Sequence, residues 1–344
     1  MQIKLGIIGM GRMGITHFSI LNSCPDIDVK AVSDTSSLIL NLTKKYITGV
    51  NTYDNYNKLF DLESLDAAII CTPPTLHYPI ALKAAEKGVH VFCEKPFTTD
   101  KNRASELAAL FEANNLVNQV GYVNRFNDIF LTVKRYIEKK IIGEVFSFKS
   151  EMYSCTITKK ENGKTWRGSR ENGGGAVFEM ASHAIDLVNY IIGKPDKVIG
   201  TCLIPIFSHD AEDIVNATFL YKNGISGTLN INWSDESYRK PINKIEIFGS
   251  KGKILADQYR IKIYKKTSSD EYNLRKGWNT IYITDVFKSV PFYVRGNEFT
   301  SQLYHFIDCV KEIKKNNICS FRNATATLEV IDSIFNDFEQ NSNI

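Results

Sequence analysis

Three glycines near the start of the chain constrain its fold more than anything else in it. Residues 3–34 read IKLGIIGMGRMGITHFSILNSCPDIDVKAVSD. A β-branched apolar run, Ile3 to Ile8, leads into Gly9, Gly11 and Gly14 at G-x-G-x-x-G spacing. A helical stretch follows, then a second apolar run, Val29 to Ser33, that ends at Asp34. Strand, glycine turn, helix, strand and acid, in that order, form the unit that a dinucleotide requires. Gly9 permits the tight turn, Gly11 lets backbone approach a pyrophosphate, and Gly14 lets helix and strand pack closely. Met10, Arg12 and Met13 complete the turn. The helix N-terminus then meets the phosphates with unpaired N–H groups and partial positive charge. Asp34 stands where a carboxylate would bond both ribose hydroxyls, which favours NAD over NADP. Ser33, Thr35 and Ser36 nearby also offer bonds to a 2′-phosphate, and a purely structural glycine turn is the alternative reading.

The pattern that follows extends this unit into a doubly wound parallel sheet. Residues 36–46 read as a helix, Leu65 to Cys71 as a buried strand, and Thr75 to Lys87 as a helix capped by Thr75 and stopped by Gly88. Val89 to Cys93 is a further strand, Asp100 to Asn114 a helix, and Leu116 to Tyr122 a strand. Ligands bind such sheets beyond the carboxyl ends of the strands. That rule selects Gly9–Gly14, Asp34, Cys71–His77 and Glu94–Pro96. Thr72, Pro73 and Pro74 either end a strand or wall the cofactor, and His77 either contacts the cofactor or caps a helix. Glu94 and Lys95 lie on the edge where a nicotinamide would end, and an ordinary surface ion pair is the alternative reading. Lysine is the side chain whose pKa falls readily when shielded from water, so Lys95 can trade a proton with a substrate hydroxyl.

From Asn127 the pattern changes, which places the domains at residues 1–123 and 124–344. A helix, Ile129 to Lys140, precedes runs of strand-like alternation: Val145–Tyr153, Val198–Pro205, Ile214–Tyr221, Ile225–Trp233, Ile242–Phe248, Lys253–Asp257, Ile261–Lys265 and Asn279–Ile283. Short turns such as Lys222-Asn223-Gly224 imply an open, mostly antiparallel sheet, and two closing helices make the second domain α+β. One helix interrupts the strands. Gly173-Gly174-Gly175 introduces AVFEMASHAIDLVNYIIG, in which Glu179, His183 and Asp186 share one face with Tyr190. Val177, Ala181, Ala184, Val188 and Ile191 supply the apolar face. A histidine bracketed by carboxylates suits a base that accepts a hydroxyl proton, and a solvated polar face is the alternative.

Composition excludes several classes. The net charge of +4 arises from 42 basic and 38 acidic residues spread along 344, so no nucleic-acid-binding surface is expected. No apolar run reaches the roughly 20 residues of a membrane span, and the apolar first residues read as a strand and not as a signal peptide. Seven cysteines without a C-x-x-C pair read as reduced core thiols of a cytoplasmic protein. The Glu179/His183/Asp186 helix lacks further ligands of evident spacing, so no metal is expected.

Taken together, GIIGMGRMG at 6–14, AVSD at 31–34, CTPPTLH at 71–77, EKP at 94–96, QVGYVNRF at 119–126, TWRG at 165–168 and GGGAVFEMASHAID at 173–186 resemble the Gfo/Idh/MocA oxidoreductase family. The resemblance implies that Lys95 contacts substrate and helps move its proton, and that His183 is the general acid/base. Glu179 falls where the family carries aspartate. Arg125, Trp166, Arg167 and Asp186 match positions that line a substrate pocket. The function implied is an NAD-dependent dehydrogenase of a sugar, an inositol-like polyol or a sugar nucleotide, assembled as a homodimer or homotetramer through the open face of its second sheet. An NAD-dependent glycosidase and a non-catalytic NAD-binding regulator are the alternatives. The catalytic reading requires the Lys95 amine and the His183 imidazole to serve one pyridine ring.

Overall fold

The computed structural model describes residues 2–160, 166–170, 173–268 and 272–341, which form two compact units. One comprises Met1–Val123 and Val290–Thr325, the other Asn124–Ser289 and Ala326–Ile344. Both are discontinuous, so the sequence boundaries of 1–123 and 124–344 differ from the structure over Val290–Thr325.

In the first unit, among the described residues, β1 (Ile3–Ile8), β2 (Ile27–Ser33), β3 (Asn51–Tyr53), β4 (Ala67–Ile70), β5 (His90–Cys93) and β6 (Asn118–Val120) form a parallel sheet in the order β3-β2-β1-β4-β5-β6. Helices α1 (Arg12–Leu21), α2 (Ser37–Tyr46), α3 (Tyr56–Leu62), α4 (His77–Glu86) and α5 (Lys101–Ala113) make the crossovers. The short β3 and α3 have no counterpart in the sequence reading, because three residues of strand show no measurable alternation. Side chains start three of the helices: Ser36 accepts from the Ile39 amide, Asn55 from that of Asn57, and Asp100 from those of Asn102 and Arg103. Thr75 does not cap α4. Pro74 opens a 3₁₀ turn, Pro74–Leu76, and α4 continues from it with no side-chain cap. The strand order reverses between β1 and β4, which opens a crevice at their carboxyl ends.

The sheet is packed by residues far away in sequence. Leu5, Ile7, Val29, Val32, Ile69 and Phe92 share one buried cluster with Leu303, Phe306 and Ile307 of helix α9 (Asn297–Val310; the single turn α8, Ile283–Val286, precedes it). Phe321 stacks on Phe97 with ring centroids 4.7 Å apart and meets Phe111 edge-on at 5.0 Å. Helix α10 (Phe321–Asn341) begins there.

The second unit is built on an eight-stranded sheet among the described residues. Its strands are β7 (Val145–Tyr153), β8 (Lys197–Ile204), β9 (Ile214–Leu220), β10 (Ser226–Asn232), β11 (Ile242–Gly249), β12 (Gly252–Ala256), β13 (Arg260–Lys265) and β14 (Gly277–Tyr282). Their order is β14-β13-β12-β11-β7-β10-β9-β8, antiparallel throughout except for β7 against β10. Alternation sets the two faces. In β11, Asn243, Ile245 and Ile247 are buried, while Lys244, Glu246 and Phe248 are half-buried. Helices α6 (Asp128–Glu138) and α7 (Ser182–Ile191) contact the sheet. The other face exposes Tyr264, Trp278 and Tyr282. No helix among the described residues is long and apolar enough to cross a membrane.

Candidate functional site

The glycine turn has the form its spacing requires. Gly9 adopts φ +89°, and a Cβ there would sit 2.8 Å from the Cys71 carbonyl carbon and 2.9 Å from the Thr72 amide. A Cβ on Gly14 would lie 1.9 Å from the Gly9 carbonyl oxygen, so only glycine lets α1 approach β1 this closely. Gly11 is different: nothing lies within 4 Å of where its Cβ would be. It is the N-cap of α1 and offers no side-chain cap, so the first amides of the helix remain open to an outside acceptor. Asp34 closes the turn from β2. Its Oδ2 accepts from the Met10 amide at 2.7 Å and its Oδ1 from the Ser36 amide at 2.8 Å. Each oxygen retains a lone pair for a ribose hydroxyl. The Met10 side chain points into the core, so Met10 serves the turn with its backbone. These features fit a bound dinucleotide, with Gly9–Gly14 under the diphosphate.

The neighbouring strand ends carry the rest of the first-unit residues. The Cys71 amide donates to Ile8, and the Glu94 amide to Ile70, so the loops after β4 and β5 continue the row. Thr72, Pro73 and Pro74 form the first of these loops. His77 is buried beneath it, with Nε2 2.8 Å from the Thr72 carbonyl oxygen and Nδ1 2.8 Å from that of Pro96. Burial holds its pKa below the ordinary value, although both carbonyls pull the other way. His77 thereby clamps the two loops together. Glu94 takes a 2.7 Å bond from His17 Nε2, and the fully buried His17 ring lies edge-on to Phe92. Burial alone would raise the Glu94 carboxyl, but His17 and Lys95 outweigh it and keep the pKa below the usual range. Gly121 leaves room for this carboxylate, since a Cβ there would stand 3.1 Å from it. Lys95 follows, half-buried, with its amide on Glu94 Oε2 at 3.2 Å and a cis bond to Pro96. Nothing in the sequence pairs His17 with a residue 77 positions away, and that contact went unread.

In the second unit the glycine-led helix is not one regular α-helix. Val177–Ala181 is a π-turn, and the α-helix begins at Ser182. Single π-turns recur at functional sites. Glu179 and His183 are half-buried, while Asp186 is fully buried. The start of this segment is fixed by a residue that the sequence did not announce. Glu212 is 1% exposed, accepts from the Val177 amide at 2.9 Å and pairs with Arg170 Nη2 at 2.9 Å. Burial pushes its carboxyl up against those two contacts. Gly175 has φ +95°, and a Cβ on it would come 2.3 Å from Glu212 Oε1.

Two substrate candidates are engaged with one another. Arg125 Nε and Nη2 donate to the two Asp186 carboxylate oxygens at 2.8 and 2.7 Å, and both residues are buried. Thr327 adds a 3.3 Å bond to Asp186, and the Arg125 guanidinium lies 5.0 Å from the Tyr190 ring centre. Their charges hold α7 in place. Arg167 Nε stands 3.4 Å from Glu179 Oε1 with nearly half of its side chain exposed, so the guanidinium reaches the Glu179/His183 face. The side chain of Trp166 lies outside the described residues. Of the seven cysteines, Cys155 and Cys202 are exposed, which corrects the reading of all seven as core thiols.

Comparison with known proteins agrees with both units. A family model described as an oxidoreductase family with an NAD-binding Rossmann fold matches residues 3–122, and one for the GFO/IDH/MocA C-terminal domain matches 130–255. The chain is 26% identical over 266 residues to myo-inositol 2-dehydrogenase of Thermotoga maritima, covering 75% of this chain and 76% of that protein. It is 25% identical over 346 residues to scyllo-inositol 2-dehydrogenase (NAD(+)) of Bacillus subtilis, covering 98% of this chain and 94% of the relative. Among solved structures, levoglucosan dehydrogenase in complex with NADH and levoglucosan superposes with a TM-score of 0.87 at 20% identity, over 99% of this chain and 98% of the other.

Proposed function

Because the chain belongs to the Gfo/Idh/MocA family of NAD-binding oxidoreductases, we propose that it interconverts a secondary alcohol and a ketone on a polyol, a sugar or a sugar nucleotide. The observation that carries this reading is the first-unit cradle: Gly14 admits no Cβ, Gly11 leaves the α1 amides open, and Asp34 closes the turn. The inositol and levoglucosan dehydrogenases among the relatives support the substrate class.

Bound NAD supplies the two-electron acceptor or donor, and the chain supplies everything else. Gly9–Gly14 would hold the diphosphate and Asp34 the adenosine ribose. Thr72, Pro73 and Pro74 would wall the pyridine side, while Glu94, fixed by His17, sets the start of the loop that presents Lys95. In the oxidation direction His183 accepts the hydroxyl proton on a ring nitrogen, and the Lys95 ammonium donates a hydrogen bond to the same oxygen as it gains negative charge. Glu179 supports the protonated imidazole in the place of the family aspartate, and Arg167 beside it adds a cation for an anionic substituent. Assembly into a homo-oligomer through the exposed Tyr264, Trp278 and Tyr282 face belongs to the same reading.

The test is near-ultraviolet absorbance with NAD and with NADP against a panel of sugars, inositols and sugar nucleotides. Net reduced cofactor with a polyol or sugar, lost in Lys95→Ala and His183→Ala, is the expected result. Release of an aglycone without net reduced cofactor would replace the reading with glycoside cleavage. Binding of NAD without turnover on any member of the panel, by a protein whose Lys95 and His183 variants behave as wild type, would leave only a nucleotide-binding role. Light scattering checks the assembly, which a strictly monomeric mass would remove.

A further inference from the structure

Arg295 belongs to the segment that returns to the first unit after the second sheet is complete. It is half-buried, with its guanidinium 4.8 Å from the Phe299 ring centre. Among the described residues its one hydrogen-bond acceptor is the Met13 thioether, 3.1 Å from Nη1, and it makes no ion pair. A guanidinium has five N–H donors, and a thioether is a weak acceptor for one of them. Burial lowers its pKa, and the nearby charge of Arg12 adds to that effect, while Glu94 and Glu298 oppose it from beyond ion-pair range. Met13 and Arg12 are the first residues of α1. The Arg295 guanidinium and the positive end of a helix dipole are therefore gathered at the turn that Gly11 leaves open, and Arg12 opens that helix. A cation held at partial burial is stabilised by an anion that satisfies its open donors.

We propose that Arg295 is a cofactor-binding residue, which with Arg12 pairs with the diphosphate of NAD over the glycine turn. This rests on the NAD reading and extends it to a residue outside the dinucleotide motif. The planar fork suits bidentate bonding to phosphate oxygens, and the Phe299 ring restricts its orientation before ligand arrives.

Isothermal calorimetry on the full chain tests it with three probes: NAD, ADP-ribose, which keeps the diphosphate without nicotinamide, and adenosine, which has no phosphate. Arg295→Ala is expected to weaken NAD and ADP-ribose about 10- to 100-fold and leave adenosine unchanged. Arg295→Lys keeps the charge without the fork and is expected to fall between the two. Raising the salt concentration should weaken ADP-ribose less in Arg295→Ala than in wild type. Equal loss for adenosine and ADP-ribose would show that Arg295 only shapes the turn through Met13, and unchanged ADP-ribose binding would likewise overturn the proposal. Failure of the wild-type chain to bind NAD at all would instead sink the NAD reading on which it stands.

Discussion

Replacing Arg125 by methionine tests what the buried pair does. The substitution removes the 2.8 and 2.7 Å bonds to Asp186 and leaves that carboxylate with Thr327 Oγ1 at 3.3 Å. Removing one member of a buried ion pair costs about 3–5 kcal/mol, because the other charge stays behind without compensation. Replacing both members with apolar residues of similar volume is near neutral, so Arg125→Met with Asp186→Leu should recover most of the loss. Urea unfolding of the ligand-free protein measures both differences. The loss also depends on pH. Burial raises the Asp186 carboxyl, Arg125 and Thr327 oppose this, and deleting the arginine raises it further. A carboxyl whose folded pKa is raised stabilises the native state at low pH, and loses that contribution as pH rises through the folded value. The penalty of Arg125→Met should therefore be smaller at about pH 5 than at about pH 8. A loss below about 1 kcal/mol, with no recovery in the double variant, would refute the reasoning and return Arg125 to the substrate pocket.

Gly14→Ala places a methyl 1.9 Å from the Gly9 carbonyl, and overpacking of about 1–3 kcal/mol should lower NAD affinity by about 10- to 100-fold in a binding titration. Gly175→Ala pushes a methyl to within 2.3 Å of Glu212 Oε1 and shifts the entry to the His183 helix. Turnover should fall at least about tenfold while NAD affinity, set in the first unit, stays unchanged. Burial, reinforced by Lys314, depresses His305 from 6.5 to about 4. The unfolded state takes up the proton first, so stability falls as pH drops from about 6.5 towards 4, and His305→Gln should flatten that part of a thermal-unfolding profile.

The strands were legible wherever alternation was long enough to count. β7 falls on the residues that its pattern marks, Val145–Tyr153, and the parallel core strands announce themselves as unbroken apolar runs. The glycine turn was legible because each glycine answers a local steric demand. What was not legible depends on contacts between residues far apart in the chain. His17 meets Glu94 across 77 positions, Val177 meets Glu212 across 35, and no periodicity records either. Asp186 shares a helical face with Glu179 and His183, and that led to a common role. The fold separates them, because the 3₁₀ turn Val123–Phe126 ahead of α6 carries Arg125 to Asp186 while a π-turn precedes the helix that bears His183. The interruption at Val177–Ala181 has no sequence signature, and the carboxylate that accepts from its first amide, Glu212, lies 35 positions further on.

The return of Val290–Thr325 to the first unit gives this protein an order of manufacture. A ribosome that has delivered residues 1–123 has released every strand of the nucleotide sheet but not Leu303, Phe306, Ile307 or Phe321, which cover part of its apolar surface. Until those side chains emerge, Phe92, Phe97 and Phe111 lack part of their cover. A fragment ending near residue 123 should aggregate, whereas one carrying 290–325 fused behind a short linker should stay in solution. The coenzyme fold is begun before the second unit and completed only after the second sheet has been made.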